Sequence, residues 1–288
     1  MGSETILVTG ATGQLGRHVA LSAGSSQDNW IFTSSSGLDI TDKGAVNRFF
    51  DSHRIDVVVN CAAYTNVEGA EDDMPTARRV NAIAPGYIAE ACARHDTAMI
   101  HISTDYVFDG KECRPYVEDD PIAPLSAYGL SKAEGEQAVT ASGCRHIVIR
   151  TSWLYSLFGN NFVKTMLRLT GERDTLGVVF DQVGTPTYAG DLADAIVHMI
   201  ERRMHRNLSG LFHYSDEGVC SWFDFAHRIA ALAGHTGCRI TPCRSCQYPT
   251  KAVRPCFSVL DKSKFKECTG LAIPHWSDSL DKMLRASV

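Results

Sequence analysis

Short apolar runs and amphipathic stretches alternate through the first half of the chain. Thr5-Ile6-Leu7-Val8 is an apolar run that ends at a glycine-rich turn, and Gln14 to Ala23 continues with helical spacing. Trp30 to Thr33 reads as a second strand, and Thr41 caps a helix that carries Val46, Phe49 and Phe50 on one side. Ile55 to Cys61 is almost continuously apolar and β-branched, which suits a strand buried on both faces. Pro75 to His95 predicts one long helix and Ala98 to Ser103 the next strand. Ala127 to Ala141 predicts a helix bounded by Ser126 and Gly143, followed by a strand at His146 to Arg150. Strands alternating with helices predict βαβ units, and hence an α/β fold with a doubly wound parallel sheet.

After Thr151 the rhythm loosens. Asn161 to Thr170 and Asp191 to Arg203 have helical spacing, Val178 to Phe180 is a short strand, and from Gly210 aromatic, proline and cysteine residues become frequent. No glycine-rich linker intervenes, so a smaller C-terminal lobe is expected to share a cleft with the sheet domain.

The 288 residues carry 28 Lys and Arg against 33 Asp and Glu, a formal charge of −5. That balance excludes a nucleic-acid polymer as partner, since such surfaces are basic. No apolar run approaches the roughly 20 residues of a membrane span. Met1 to Gly10 lacks a basic, apolar leader, which predicts a cytoplasmic location. Ten cysteines without regular spacing are then expected to be reduced thiols. Cys243-Arg-Ser-Cys246, with Cys238 and Cys256 nearby, has half of a zinc spacing, but Pro242 and Pro249 point to an irregular surface loop, and no metal is expected.

Gly10-Ala11-Thr12-Gly13-Gln14-Leu15-Gly16 follows a strand and opens a helix. Glycine permits the tight turn and the close approach of backbone to a pyrophosphate, and free N–H groups at the helix start favour its charge. Position and context together predict a Rossmann-type dinucleotide site. Residues 1–152 are assigned to an NAD(P)-binding domain to which 178–206 return, and residues 153–177 and 207–288 to a substrate-binding lobe. Thr33-Ser34-Ser35-Ser36 has hydroxyls where NAD-binding chains have an acid, which favours NADPH with NADH as the alternative. Asp39-Ile40 falls where a carboxylate meets the adenine amine.

Tyr128-Gly-Leu-Ser-Lys132 places a phenol and an ammonium one helical turn apart. An ammonium beside the phenol is expected to lower its pKa from about 10 towards working pH. Thr104 ends the preceding strand, where ligands bind in open α/β sheets, and its hydroxyl suits a carbonyl oxygen that gains negative charge.

These motifs and others along the whole chain resemble the extended short-chain dehydrogenase/reductases, and among them the dTDP-4-dehydrorhamnose reductase family. The likeness runs through Leu38 to Asp42, Asn60 to Thr65, Val80-Asn81, Ser103 to Gly110, Pro124 to Lys132 and Arg150 to Trp153. It continues through Gly159 to Val163, Asp181 to Thr187, Tyr248 to Pro255 and Ser258 to Asp261. It implies an oxidoreductase of dTDP-L-rhamnose synthesis that reduces dTDP-4-dehydro-L-rhamnose, a 4-keto-6-deoxy sugar nucleotide, to dTDP-L-rhamnose. A hydride passes from NADPH or NADH to C4 of the sugar and Tyr128 donates the proton. Lys132 is implied to hold the nicotinamide ribose, and Thr104 to give a second hydrogen bond to the 4-keto oxygen. Asp105 and Trp153 are similar to residues that contact the deoxysugar. Ala63-Tyr64-Thr65 and Ile102 match stretches lining the cofactor, and Asn161 and Arg254 face the nucleotide end of the substrate.

Some relatives dimerise through magnesium held by glutamates. Here Arg17-His18 and Ala189-Gly190-Asp191 stand at those places, so magnesium is doubtful and a monomer or weak homodimer is expected. Sugar-nucleotide dehydratases place Asp-Glu after the threonine, whereas this chain has Asp105-Tyr106. Epimerases retain their NAD through turnover. The fold also serves as a non-catalytic regulatory subunit of methionine adenosyltransferase. Thr104, Tyr128, Lys132 and Trp153 occurring together favour the reductase.

Overall fold

Five of the predicted strands, and a sixth that the pattern did not announce, build one parallel sheet. The computed structural model describes residues 2–286. Met1 and residues 287–288, at the ends of the predicted segments, lie outside the described residues. In chain order, β1 (Thr5–Thr9), α1 (Gln14–Ser22), β2 (Asn29–Phe32), α2 (Lys43–Ser52) and β3 (Val57–Asn60) follow the expected rhythm. Then come α3 (Val67–Asp72), α4 (Met74–Arg78), α5 (Ala84–Arg94), β4 (Ala98–Thr104), α6 (Ala127–Ala141) and β5 (His146–Thr151). The second half adds β6 (Leu154–Tyr155), α7 (Phe162–Glu172), β7 (Thr175–Val179), β8 (Val183–Gly184), β9 (Thr187–Tyr188) and α8 (Ala189–Glu201). Last are β10 (Gly210–His213), β11 (Cys220–Ser221), α9 (Trp222–Leu232), β12 (Arg239–Cys243), α10 (Ser263–Thr269) and α11 (Trp276–Arg285).

The sheet runs in the order β10-β5-β4-β3-β1-β2 with every pair parallel. Alternate residues face opposite sides. Ile6, Val8, Val57, Val59 and Ile100 pack against Leu15 and Val19 of α1 and Leu192 and Ile196 of α8. Leu7, Val58 and Met99 pack against Val46 and Phe50 of α2, Ile88 of α5 and Val139 of α6. Covering both faces explains why Val57-Val58-Val59 shows no polar alternation. Each such side chain contributes about 1.5–3 kcal/mol through burial. The strand order reverses between β1 and β3, and the crevice at their carboxyl ends is where α/β sheets of this kind bind ligands. Beside it, α7, α9 and α11 close a separate core around Val163, Phe225, Ile229 and Leu280.

The structure redraws two boundaries. The helix expected over Pro75 to His95 contains a π turn at Arg79–Ile83. The widened turn brings the Asn81 carbonyl against Gly135 of α6, where a Cβ would stand 2.1 Å from it. The lobe expected over 207–288 is also not continuous. β10 pairs with β5 as the sixth strand, and Phe265 of α10 enters the same core as Ile6. The backbone groups along the open edge of β5 need partners, and Gly210–His213 supplies them. β7 pairs with β12 rather than with the large sheet, while α8 packs on the large sheet. All ten cysteines are free thiols. Among the described residues no helix is long and apolar enough to cross a membrane.

Candidate active site

The glycine loop sits between β1 and α1, at the crevice. Gly10 has φ +66°, and a Cβ there would lie 2.6 Å from the Ala62 backbone nitrogen. At Gly16 a Cβ would lie 2.4 Å from the Gly10 carbonyl oxygen. No side chain caps α1, so its first N–H groups remain available to an anion. Ala11 is half-buried, and Thr12 and Gly13 are exposed on the loop. The Leu15 side chain turns into the core, which leaves only its backbone to the loop. Gln14 reaches the other way: its Oε1 accepts from Asn161 at 2.8 Å and from Ser156 at 3.2 Å, joining loop to lobe. We expect Gly10→Ala to cost about 1–2 kcal/mol in left-handed backbone strain alone. Titration with NADPH should show at least a tenfold loss of affinity, because the loop must also move off Ala62; unchanged affinity would contradict the phosphate role.

Ser126 accepts from the Gly129 N–H at 3.1 Å and so fixes the start of α6. Tyr128 then lies in the first turn, half-buried, and its hydroxyl faces Thr104 at the tip of β4. One turn on, buried Lys132 donates from Nζ to the Ile102 carbonyl at 2.6 Å. The expected lowering of the phenol pKa is reversed. Burial, with the Asp105 carboxyl nearby, pushes Tyr128 up to about 12 despite the bond from Thr104. Lys132 does not act on the phenol because its ammonium is turned to β4, where burial pulls it down to about 8 against the field of Glu136. The phenol therefore holds its proton at neutral pH.

Asp105 is 1% exposed, and its Oδ1 accepts from Thr104 Oγ1 at 3.0 Å. Burial raises its carboxyl to about 6 against a bond from Ser258. The neighbouring Tyr106 ring meets Tyr128 edge-on at 5.5 Å, and its hydroxyl bonds Arg254.

Several supporting residues carried no assigned role from the sequence. Asn81, in the π turn, accepts from the Tyr64 N–H at 2.8 Å and donates to the Tyr64 carbonyl at 2.9 Å. This two-way clamp, continued to Ser131 of α6, fixes Ala63 and Tyr64, while Thr65 remains exposed. Behind Lys132, Thr9, Asn60 and His101 form a hydrogen-bonded chain across three strands. Glu136 takes a two-pronged bond from Arg150 at 2.9 and 2.7 Å and another from Ser103, tying α6 to β4 and β5. The family likeness runs through Asn60, Asn81, Ser103 and Arg150, and Glu136 lies one turn after Lys132.

Trp153 adopts φ +47° and stacks on Trp222 at 3.5 Å. Asn161 stands at the start of α7 and ties it to the glycine loop. Its carbonyl caps α7 through the Lys164 N–H, and its amide donates to Gln14 and to the Ser156 carbonyl. Asp39 is exposed, with its Oδ1 accepting from the N–H and hydroxyl of Thr41, and the Ile40 side chain is core. Arg254 pairs with Glu68 of α3 at 2.6 Å.

Residues 4–288 match the family model described as the RmlD substrate binding domain. A dTDP-4-dehydrorhamnose reductase of Aggregatibacter actinomycetemcomitans is 41% identical over 98% of this chain and 98% of its own. The crystal structure of a dTDP-4-dehydrorhamnose reductase from Clostridium acetobutylicum superposes with TM-score 0.94 at 41% identity, covering 98% of this chain and 99% of that one. That of the Bacillus anthracis enzyme in complex with NADP gives 0.93 at 35% identity, covering 99% and 100%. Fold, site and similarity over the full length agree, and the chain belongs to the RmlD family of dTDP-4-dehydrorhamnose reductases.

Proposed function

We propose that this protein reduces the 4-keto group of dTDP-4-dehydro-L-rhamnose, yielding dTDP-L-rhamnose, with NADPH as the preferred reductant. The observation that carries the reading is the approach of the Tyr128 hydroxyl to Thr104 at the carboxyl end of β4, with Lys132 one turn on along α6 and held to the Ile102 carbonyl of the same strand. The residues suit the cofactor: α1 is uncapped, two glycine positions have no room for a side chain, and exposed Ser35 and Ser36 follow β2 without an acid that would repel a 2′-phosphate. When bound, the reduced nicotinamide supplies the hydride.

In this reading Tyr128 gives the proton to the sugar oxygen, Thr104 orients that oxygen, and Lys132 holds the ribose. Trp153 offers its indole to the deoxysugar, whereas Asp105, standing behind Thr104, meets the sugar only through it. Arg254 exchanges Glu68 for the substrate pyrophosphate. Arg254→Ala should raise KM for the sugar nucleotide about tenfold or more, since a charge-assisted bond contributes roughly 1.5–3 kcal/mol; an unchanged KM would remove Arg254 from the phosphate site.

We place the protein in the cytoplasm as a monomer or weak homodimer. The Arg17 guanidinium lies over the Phe158 ring and buried His18 between Phe158 and Tyr188, a surface that does not invite a bridging magnesium ion. The test is NADPH consumption with dTDP-4-dehydro-L-rhamnose made in place from dTDP-glucose. Formation of dTDP-L-rhamnose supports the reading, and no oxidation by a folded, NADPH-binding protein overturns it.

A further inference from the structure

We propose that Trp222 is a positioning residue for this reaction: stacked on Trp153, it holds that indole as a fixed wall of the sugar site, in a space that Gly184 keeps open. The inference rests on the reductase reading, in which Trp153 meets the deoxysugar, and adds two residues that act through it.

The Trp153 backbone is strained. Its φ of +47° lies in the left-handed region, where a bulky side chain is an outlier. Such a conformation persists only where the surroundings impose it. Here the neighbouring peptides are tied down on both sides. The Ser152 hydroxyl donates to the Thr185 carbonyl at 2.7 Å, and the Thr187 N–H donates to the Trp153 carbonyl at 3.3 Å. Thr151, the last residue of β5, pairs with Thr104. The left-handed turn therefore falls two residues beyond the partner of Thr104, at the carboxyl end of the sheet, where ligands bind in this fold.

The side chain is held as firmly as the backbone. The Trp222 ring lies 3.5 Å from that of Trp153 with the planes 8° apart, and Phe162 packs on Trp222 at 4.6 Å. Trp222 is the first residue of α9, fixed by the capping box of Ser221 and Asp224, and Ser221 pairs with Val183 of β8. The next residue of β8 is Gly184, where a Cβ would stand 2.7 Å from Trp153 Cε2 and 2.8 Å from its Nε1. Gly184 has no positive φ, so glycine serves there for space and not for backbone freedom. One two-stranded ladder thus leads into the ring that stacks on Trp153 and supplies the gap that receives it. An indole free to change rotamer would give the sugar a moving surface, and a shift of about 1 Å at a reacting carbon costs on the order of 10²-fold in rate.

Steady-state kinetics with the sugar nucleotide, inhibition by dTDP and titration with NADPH test this together. Trp222→Leu should lower kcat/KM about 10²-fold. The dTDP inhibition constant and the NADPH affinity should be unchanged, because neither ligand carries the deoxysugar. Trp222→Phe, which keeps an aromatic face on the indole, should recover most of the loss. Gly184→Ala should reproduce the loss by pushing the ring aside, and it carries the same test if Trp222→Leu loses its folded transition. In a Trp153→Leu background neither substitution should cost anything further, since both act through that ring. Wild-type kcat/KM in Trp222→Leu overturns the proposal. So does a weakening of dTDP by the same factor as the sugar nucleotide, or a pair of losses that multiply in the Trp153→Leu background. Absence of turnover in the wild type is instead the failure of the reductase reading.

Discussion

Tyr128→Phe should lower kcat by about 10²–10⁴-fold, the usual contribution of a positioned general acid, while NADPH affinity and the thermal midpoint stay close to wild type. The change removes one oxygen from a half-buried ring. The ring keeps its edge contact with Tyr106, and the helix keeps its Ser126 cap. What is lost is the donor held against Thr104 at the end of β4. Because burial keeps the phenol protonated, the loss should be similar across neutral pH. Rapid-mixing measurement of NADPH consumption, with a separate binding titration, checks both halves. Wild-type turnover in the variant would show that the proton comes from another group.

Lys132→Met should impair binding and chemistry together. We expect NADPH to bind at least tenfold more weakly, about 1.4 kcal/mol, and kcat to fall by a further 10²-fold or more. Methionine fills the buried channel but offers no ammonium to a ribose hydroxyl, and it leaves the Ile102 carbonyl without the donor that lies 2.6 Å from it. The fold should survive, because the Glu136 carboxylate remains paired with Arg150 at 2.7 Å. Fluorescence titration with NADPH separates the two effects. Intact affinity with a depressed kcat would remove the ribose contact, and loss of the folded transition would make Lys132 a structural residue.

Much of this architecture was legible in residue order. Ile6 to Val8, Val57 to Val59 and Ile147 to Ile149 are apolar and, Leu7 apart, β-branched because they pair as parallel strands covered on both faces. The α6 boundaries follow from Ser126 and Gly143. The glycine loop was legible because backbone sterics at Gly10 and Gly16 leave no alternative residue. β10 was not: four residues carry little periodic signal, and their partner in β5 lies far back in the chain. The π turn escaped because a single widened turn does not disturb helical spacing over so long a segment.

The sequence by itself determined five strands of the sheet, the dinucleotide loop and the pairing of Tyr128 with Lys132, because each depends on local sterics or on spacing within one element. Tertiary structure alone decided how those groups behave. Lys132 is turned to β4, so burial rather than an ammonium governs the Tyr128 proton. Asn161 is taken up in a helix cap that locks the lobe to Gln14. Asp105 is enclosed behind Thr104 by Tyr106 and Ser258. Desolvation and hydrogen-bond direction depend on every atom around a group, and those atoms arrive from elements far apart in the chain.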